Sequence, residues 1–299
     1  MYTSRAFSLV PMVLAFTTAT FAQNTLKDGT SLVWDKQINV VKESLVTDSA
    51  TLPAYTVAVY ETKAKEVQKL LKTEMAGADF KKQGKMLKAT GASVSSASAA
   101  PVDILGKITD NKKQKMTTLT LAFVSAGTST PVENPDIEAY MRDLSVRMNR
   151  AVVQEQLNTW KKQLGKADSK AKSATKSRDK AQTKMTKAQT KLEKTSREKS
   201  KLQNEHLVLQ KEIDLYNQKW TLSQDAKDLK KLTKARKKIT KNEGKMAKVM
   251  QTEAKAQQEL SKTSSNLPDM QKEKDQKSAA QAEVQRTVDA LQRKLENIR

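Results

Sequence analysis

In VQEQLNTWKKQLGKADSKAKSATKSRDKAQTKMTKAQTKLEKTSREKSKLQNEHLVLQKEIDLYNQKW, residues 153–220, apolar residues recur at alternating steps of four and three. This pattern sets the fold of the chain. The repeating positions are Val153, Leu157, Trp160, Leu164, Ala167, Ala171, Ala174, Arg178, Ala181, Met185, Ala188, Leu192, Thr195, Lys199, Leu202, His206, Leu209, Ile213, Tyr216 and Trp220. A mainly apolar period of 3.5 residues over such a length is typical of a helix that supercoils against a partner helix. The sequence therefore predicts a long coiled coil, and we call these positions the seam.

The seam is not equally strong along its length. Its expected main contacts are Leu157, Trp160, Leu164, Met185, Leu192, Leu202, Leu209, Ile213, Tyr216 and Trp220. Between Ala167 and Ala188 the seam is mostly alanine, which buries little apolar area but lets two helices approach closely. We expect close antiparallel packing there, either within one chain or between two chains.

The predicted coiled-coil segment, residues 134–263, contains a phase break at 221–231. The next regular register begins at Leu232 and continues through Ile239, Met246 and Leu260, which is not a whole number of heptads from Trp220. Either the helix turns back at the break or the supercoil absorbs a discontinuity.

A second interruption is expected at residues 264–269, because Pro268 cannot continue the backbone hydrogen-bond ladder. A separate C-terminal helix is predicted over 269–299, with Val284, Val288, Leu291, Leu295 and Ile298 on one face. A merely kinked helix is the alternative.

A small domain is predicted at residues 54–130, after an N-terminal segment at 23–53 that has a candidate strand within 31–41 and a loop at 47–53. A strand at 54–60 precedes a helix between Thr62 and Gly77. Further strands are expected within 80–90 and at 102–109 and 117–124, with a hairpin turn at 110–113. The predicted fold class is α+β: a small antiparallel sheet with one helix, followed by a long α-helical coiled coil that Asn134 caps.

Residues 1–22 have the pattern of a secretory signal peptide. Arg5 precedes the apolar run 6–19, and small residues at Thr20 and Ala22 suit cleavage before Gln23. The apolar run is too short to span a bilayer, and we expect no transmembrane segment in the mature chain. The chain has no cysteine, which excludes disulfides and thiol chemistry. A periplasmic or secreted protein is predicted.

The formal net charge is +22, and most of the excess lies in the second half, where residues 151–299 hold 36 Lys and Arg against 19 Asp and Glu. The densest run is Lys227, Lys230, Lys231, Lys234, Arg236, Lys237, Lys238, Lys241, Lys245 and Lys248. Clustered cations attract polyanions or anionic lipid. Aromatic residues that would stack on nucleic-acid bases are absent from this run, so no specific nucleic acid is expected.

Residues for catalysis are sparse. His206 is the one histidine of the sequence and lies on the seam, so neither a zinc site nor a His-based triad has its partners. Repeated Ser-x-x-Lys spacings on the Lys- and Ser-rich helix are chance matches, and Asp79, Asp103 and Asp110 have no spacing that requires them to meet. We expect no catalytic, cofactor or metal site and no enzyme activity.

The order of these segments resembles that of uncharacterised exported coiled-coil proteins of Gram-negative bacteria. The resemblance rests on AYTVAVYETKAKEVQKLLK (54–72), VDILGKITDN (102–111) and the EQL…KLEK…KEIDLYNQKW pattern of the long helix, and it implies no known activity. More loosely, the chain is similar to the Skp-type periplasmic chaperones, which are basic, cysteine-free and built from a β body with helical arms. In that family the helical hairpin is inserted into the sheet, whereas here the helices follow it.

Two functions are consistent with this organisation. The first is a non-enzymatic exported structural or interaction protein that uses its coiled coil as a spacer or oligomerisation element in the cell envelope. Its partner would be another protein or a second copy of the chain. The alternative is a holdase-like chaperone or polyanion-binding protein whose basic helical arms hold anionic clients or an envelope surface.

Overall fold

A computed structural model describes residues 25–26, 30–48 and 50–299 of the chain. It confirms the predicted fold class: a small antiparallel sheet with one short helix, followed by a long helical region. The predicted signal peptide at 1–22 lies outside the described residues. The described part divides into two compact units, one formed by the residues up to Thr159 together with Thr287–Arg299, the other by Trp160–Arg286.

The sheet of the first unit has six antiparallel strands in the order β1-β2-β6-β5-β4-β3. The strands are β1 (Val41–Val46), β2 (Thr51–Tyr60), β3 (Lys81–Gln83), β4 (Met86–Ala92), β5 (Val102–Asn111) and β6 (Met116–Ser125). Strands β5 and β6 pair along their whole length, from Val102 with Ser125 to Asn111 with Met116. This long central hairpin is the framework on which the other strands assemble.

The main core lies on one face of this sheet. Alternate residues of β6, among them Leu119, Leu121 and Phe123, are buried there because side chains of a strand point to opposite faces in turn. The helix α1 (Ala64–Glu74) contributes Val67 and Leu71. The start of α2 (Asp136–Ser223) contributes apolar residues at helical spacing, namely Ile137, Met141, Leu144, Met148 and Val152. The sheet therefore packs on the beginning of the long helix.

Polar residues of α2 bind the part of β2 that extends beyond β1, whose pairing ends at Thr56. Asn149 accepts a hydrogen bond from the Tyr60 N–H (2.9 Å) and donates one to the Ala58 carbonyl (3.0 Å), to which Ser145 also donates (2.9 Å). Buried backbone groups left without a partner are costly, so these side chains replace the missing strand.

The three aspartates that the sequence left unassigned have local structural roles. Asp103 is buried and accepts hydrogen bonds from Gly91 and Gly127, whose positive φ angles suit glycine. Asp110 accepts from the first amide of α1, Ala64, at 2.6 Å. Asp79 pairs with Lys81 at the surface. The structure does not bring the three carboxylates into one site.

Several local predictions for the first unit are wrong. The candidate strand within 31–41 does not form, since β1 starts only at Val41, and residues 51–53, predicted as loop, start β2. The β5–β6 turn lies at 112–115, since Asp110 and Asn111 still pair with β6. Thr62 does not cap α1, whose N-cap is Lys63. Asn134 does cap α2, through its Oδ1 and the Asp136 N–H (2.9 Å).

The phase break at 221–231 is a turn. Helix α2 ends at Ser223, Gln224 adopts a positive φ of 50°, and α3 (Ala226–Glu296) begins two residues later. Asp225 caps α3 by accepting a hydrogen bond from the Lys227 N–H at 2.8 Å. Neither glycine nor proline marks this turn, which explains why the sequence left a continuous helix open as an alternative.

The prediction of an interruption at 264–269 is wrong. Helix α3 continues through Pro268 to Glu296, so 269–299 is not a separate helix. The partly buried residues Leu260, Leu267, Lys274 and Gln281 follow one another at seven-residue intervals across the proline. Burial of this regular face provides the physical reason that the helix persists despite one missing backbone donor.

Candidate functional site

The two long helices of the second unit run antiparallel and contact each other within the chain. Asp168 contacts Gln281 (3.2 Å), Lys199 pairs with Glu253 (2.9 Å) and Glu212 with Lys238 (3.5 Å). The residue number on α3 falls as that on α2 rises, which is the pattern of a hairpin closed by the turn at Gln224. At 1.5 Å per residue, the α2 arm from Trp160 to Ser223 is about 95 Å long. We call the second unit the hairpin.

The seam residues lie on the less exposed face of α2. Of the ten expected main contacts, three are buried and seven are partly buried. The buried ones are Leu157, Leu202 and Leu209; the partly buried ones are Trp160, Leu164, Met185, Leu192, Ile213, Tyr216 and Trp220. Leu157 belongs to the first unit and the other nine belong to the hairpin. On α3, the residues of the heptad register that begins at Leu232 are likewise less exposed than their neighbours, and Leu232 and Ala235 are buried.

Polar residues interrupt the interior of the hairpin. Asn242 is buried and donates a hydrogen bond to the Leu202 carbonyl (3.3 Å), but its Oδ1 has no partner among the described residues. His206 is partly buried, and within the described structure its Nδ1 has no hydrogen-bond partner either. A polar group in a seam costs stability but favours one register of the two helices.

Two open grooves run along the alanine-rich section of α2. One is lined by Ala171, Asp179 and Gln281 together with several lysines, the other by lysines and threonines between Gln182 and Lys194. A hydrogen bond to Asp168 raises the pKa of Lys172. Among the described residues, no group of three or more His, Asp and Glu side chains is arranged to hold a metal ion.

Nine of the ten residues in the basic run share one face of α3. With Leu232 and Ala235 as heptad positions a and d, the lysines fall at c (227, 234, 241, 248), f (230, 237) and g (231, 238, 245). At 3.6 residues per turn, these three positions lie within an arc of about 100°. Arg236 falls at position e, outside this arc. All ten side chains are exposed. We call the nine lysines the basic face.

Most of the basic face is not neutralised by the protein. In the described part of the chain, Lys231 pairs with Asp228 (3.5 Å) and lies 5.7 Å from the centre of the Tyr216 ring, and Lys238 pairs with Glu212. The other seven lysines have no carboxylate within 4.0 Å among those residues. Unpaired clustered cations give a strongly positive surface that can bind a multivalent anion.

The sequence interpretation missed an apolar row on α2 beside this face. Val208, Leu215 and Leu222 occupy successive c positions and are 65%, 48% and 87% exposed. The same c positions nearer the first unit are lysines, at 180, 187, 194 and 201. This change of residue type within one row is visible in the sequence, but only once the outer heptad positions are read as well as the seam.

A buried ion pair of the first unit joins residues that are distant in sequence. The Lys294 Nζ contacts Glu61 Oε2 (2.5 Å) and the Ser31 carbonyl (2.6 Å), and Gln156 donates to the same carboxylate (3.2 Å). The Lys294 side chain is fully buried and Glu61 has a positive φ of 56°. This cluster fixes the end of α3 to the N-terminal segment, to β2 and to α2. The two charges satisfy each other, whereas the buried Oε1 of Gln156 has no hydrogen-bond partner among the described residues.

Comparison with known proteins adds no assignment. No family model matches the chain, and the search of curated proteins finds no significant relative. Within the described residues, no helix is both long and apolar enough to cross a membrane.

Proposed function

We propose that the protein is a non-enzymatic, exported structural or interaction protein whose hairpin serves as a spacer and binds an anionic partner near its turn. The observation that carries this proposal is the basic face, nine exposed lysines in one arc of α3, seven of them without a carboxylate within 4.0 Å in the described structure. Repulsion among these like charges destabilises the cluster, and binding an anion relieves the repulsion.

Helices α2 and α3 pair with each other inside one chain. A seam that is covered by the chain's own second helix is not free to pair with another copy, so the spacer need not be an oligomer. The outer positions of the hairpin remain available for a partner, and the basic face is a charged surface among them.

Binding of soluble polyphosphate tests this function. The triple variant Lys227→Gln, Lys234→Gln, Lys241→Gln removes one row of the basic face. Its affinity should fall at least tenfold at moderate salt, because each lost cation removes one phosphate contact. The matched control, Lys180→Gln, Lys187→Gln, Lys194→Gln, removes three exposed lysines from the same heptad position of α2, beyond the levels of the basic face, and should change affinity less than threefold. Equal losses in both variants would show that only net charge matters and would contradict the proposal.

A holdase-like chaperone is the second candidate. It is favoured by the exposed apolar side chains of the hairpin: Leu207, Val208, Leu215, Leu222, Leu229 and Met250 all lie between residues 207 and 250. Such a chaperone would suppress aggregation of a reduced, unfolded client at stoichiometric amounts. No suppression at a tenfold molar excess over client would exclude this function.

A further inference from the structure

We propose that the basic face and the apolar row together form a docking surface for an anionic phospholipid membrane. This inference rests on the proposed function and specifies its partner. The apolar row is Val208, Leu215 and Leu222 on α2, and the basic face is the set of nine lysines on α3.

The two features lie on the same side of the hairpin. Glu212 pairs with Lys238 and Lys184 with Glu259, and all four residues occupy heptad position g of their helices. When g faces g across an antiparallel pair, the neighbouring c positions of both helices flank that same side. The apolar row occupies c on α2, and the basic face occupies c, f and g on α3. One surface therefore presents both.

The two rows also lie side by side along the hairpin. Because Glu212 is level with Lys238 and the helices are antiparallel, Leu222, Leu215 and Val208 are within about one turn of the levels of Lys227, Lys234 and Lys241. At three successive positions along the hairpin, an apolar side chain of α2 thus lies beside a lysine of α3.

An anionic lipid surface suits this combination. Lysines near anionic head groups each contribute about fivefold in binding, and apolar side chains enter the boundary between head groups and acyl chains. An adjacent helix suits it less well, because a coiled-coil partner needs two apolar residues per heptad and this row supplies one. A second copy of the chain would bring two basic faces together, which charge repulsion opposes.

The experiment measures binding of the full chain to vesicles of phosphatidylcholine containing one-third phosphatidylglycerol, with pure phosphatidylcholine vesicles as the baseline. All variants keep residues 1–22, so any contribution of that apolar segment is common to them. The apolar variant is Val208→Ser, Leu215→Ser, Leu222→Ser, and the cation variant is Lys227→Gln, Lys234→Gln, Lys241→Gln. These side chains are exposed, so helix content by circular dichroism should not change.

We expect the wild-type chain to bind the anionic vesicles at least tenfold more tightly than the neutral ones. The apolar variant should lose at least tenfold in vesicle affinity while its polyphosphate affinity is unchanged. The cation variant should lose affinity for both vesicles and polyphosphate. The control with Gln at 180, 187 and 194 should bind vesicles within threefold of wild type.

Four outcomes would overturn the inference. If wild type binds polyphosphate but not anionic vesicles, the membrane is not the partner, although the proposed function survives. If wild type binds neither polyphosphate nor anionic vesicles, the proposed function is wrong as well. If the apolar variant binds vesicles like wild type, or if an acidic amphipathic helical peptide binds at least tenfold more tightly than vesicles, a soluble partner replaces the membrane.

Discussion

At the scale of single residues, the Lys294–Glu61 pair joins parts of the chain that are far apart in sequence. The Lys294 side chain is fully buried and the Glu61 side chain is 12% exposed, and the carboxylate also accepts hydrogen bonds from Ser31 and Gln156. A buried ion pair gives little net stability, because desolvation offsets the attraction, but removing one partner leaves the other charge uncompensated. The pair therefore acts chiefly by enforcing one arrangement of the end of α3.

Substituting Lys294→Met tests this role. We expect the free energy of unfolding to fall by about 3–5 kcal/mol, because Glu61 would remain buried without its cation. Urea unfolding followed by circular dichroism measures the change. The matched control is Arg293→Met, at the exposed neighbouring position, which should change stability by no more than about 0.5 kcal/mol. Similar values for the two variants would mean that the ion pair is not buried.

At the scale of secondary-structure elements, α3 is held by its buried face rather than by its local sequence. Pro268 lies inside the helix, and the seven-residue pattern of partly buried residues passes through it without a shift. Helix stability in proteins comes mainly from packing of one face, so a single unfavourable residue on the exposed side is tolerated at a cost.

Replacing this proline measures that cost. Pro268→Ala restores a backbone donor and removes a steric conflict within the helix, so the hairpin should gain up to about 3 kcal/mol in stability. Urea unfolding gives the change, and hydrogen exchange should show protected amides at 264–267 already in the wild type. Asp269→Ala, also exposed, is the control and should have a small effect. Rapid exchange at these amides together with no gain in stability would indicate a break at the proline instead.

In the molecule as a whole, α3 of the same chain covers the seam of α2. Contacts from Asp168 with Gln281 to Glu212 with Lys238 extend over most of the hairpin. Two polar groups inside it, the side-chain amide nitrogen of Asn242 and the Lys199 ammonium, find partners on the opposite helix of the same chain. The outer faces carry most of the net positive charge, and like charges oppose association of two copies.

The full chain should therefore be a monomer in sedimentation equilibrium at micromolar concentration, at both low and high salt. Helix content should not depend on concentration, because the helices pair intramolecularly. Loss of helix on dilution, or a stable dimer whose affinity is insensitive to salt, would mean that the seam joins two chains. High salt alone could promote weak contacts between basic faces by screening their repulsion, so both conditions are needed.

The residue pattern by itself determined which faces are buried. The seam from Val153 to Trp220 could be predicted because a helix places every third and fourth residue on one side. Strands β5 and β6 could be predicted because apolar and polar residues alternate in them. The basic run was also evident from the sequence, although heptad geometry excludes Arg236 from its face.

Tertiary structure decided what each buried face packs against. Periodicity carries no information about the partner, so the sequence allowed pairing within or between chains. The turn at Gln224 has neither glycine nor proline, and Lys294 meets Glu61 only because the chain returns to its first unit. Pro268 stays helical because a regular buried face outweighs a local preference. Each of these outcomes depends on contacts between residues distant in sequence, which no local pattern encodes.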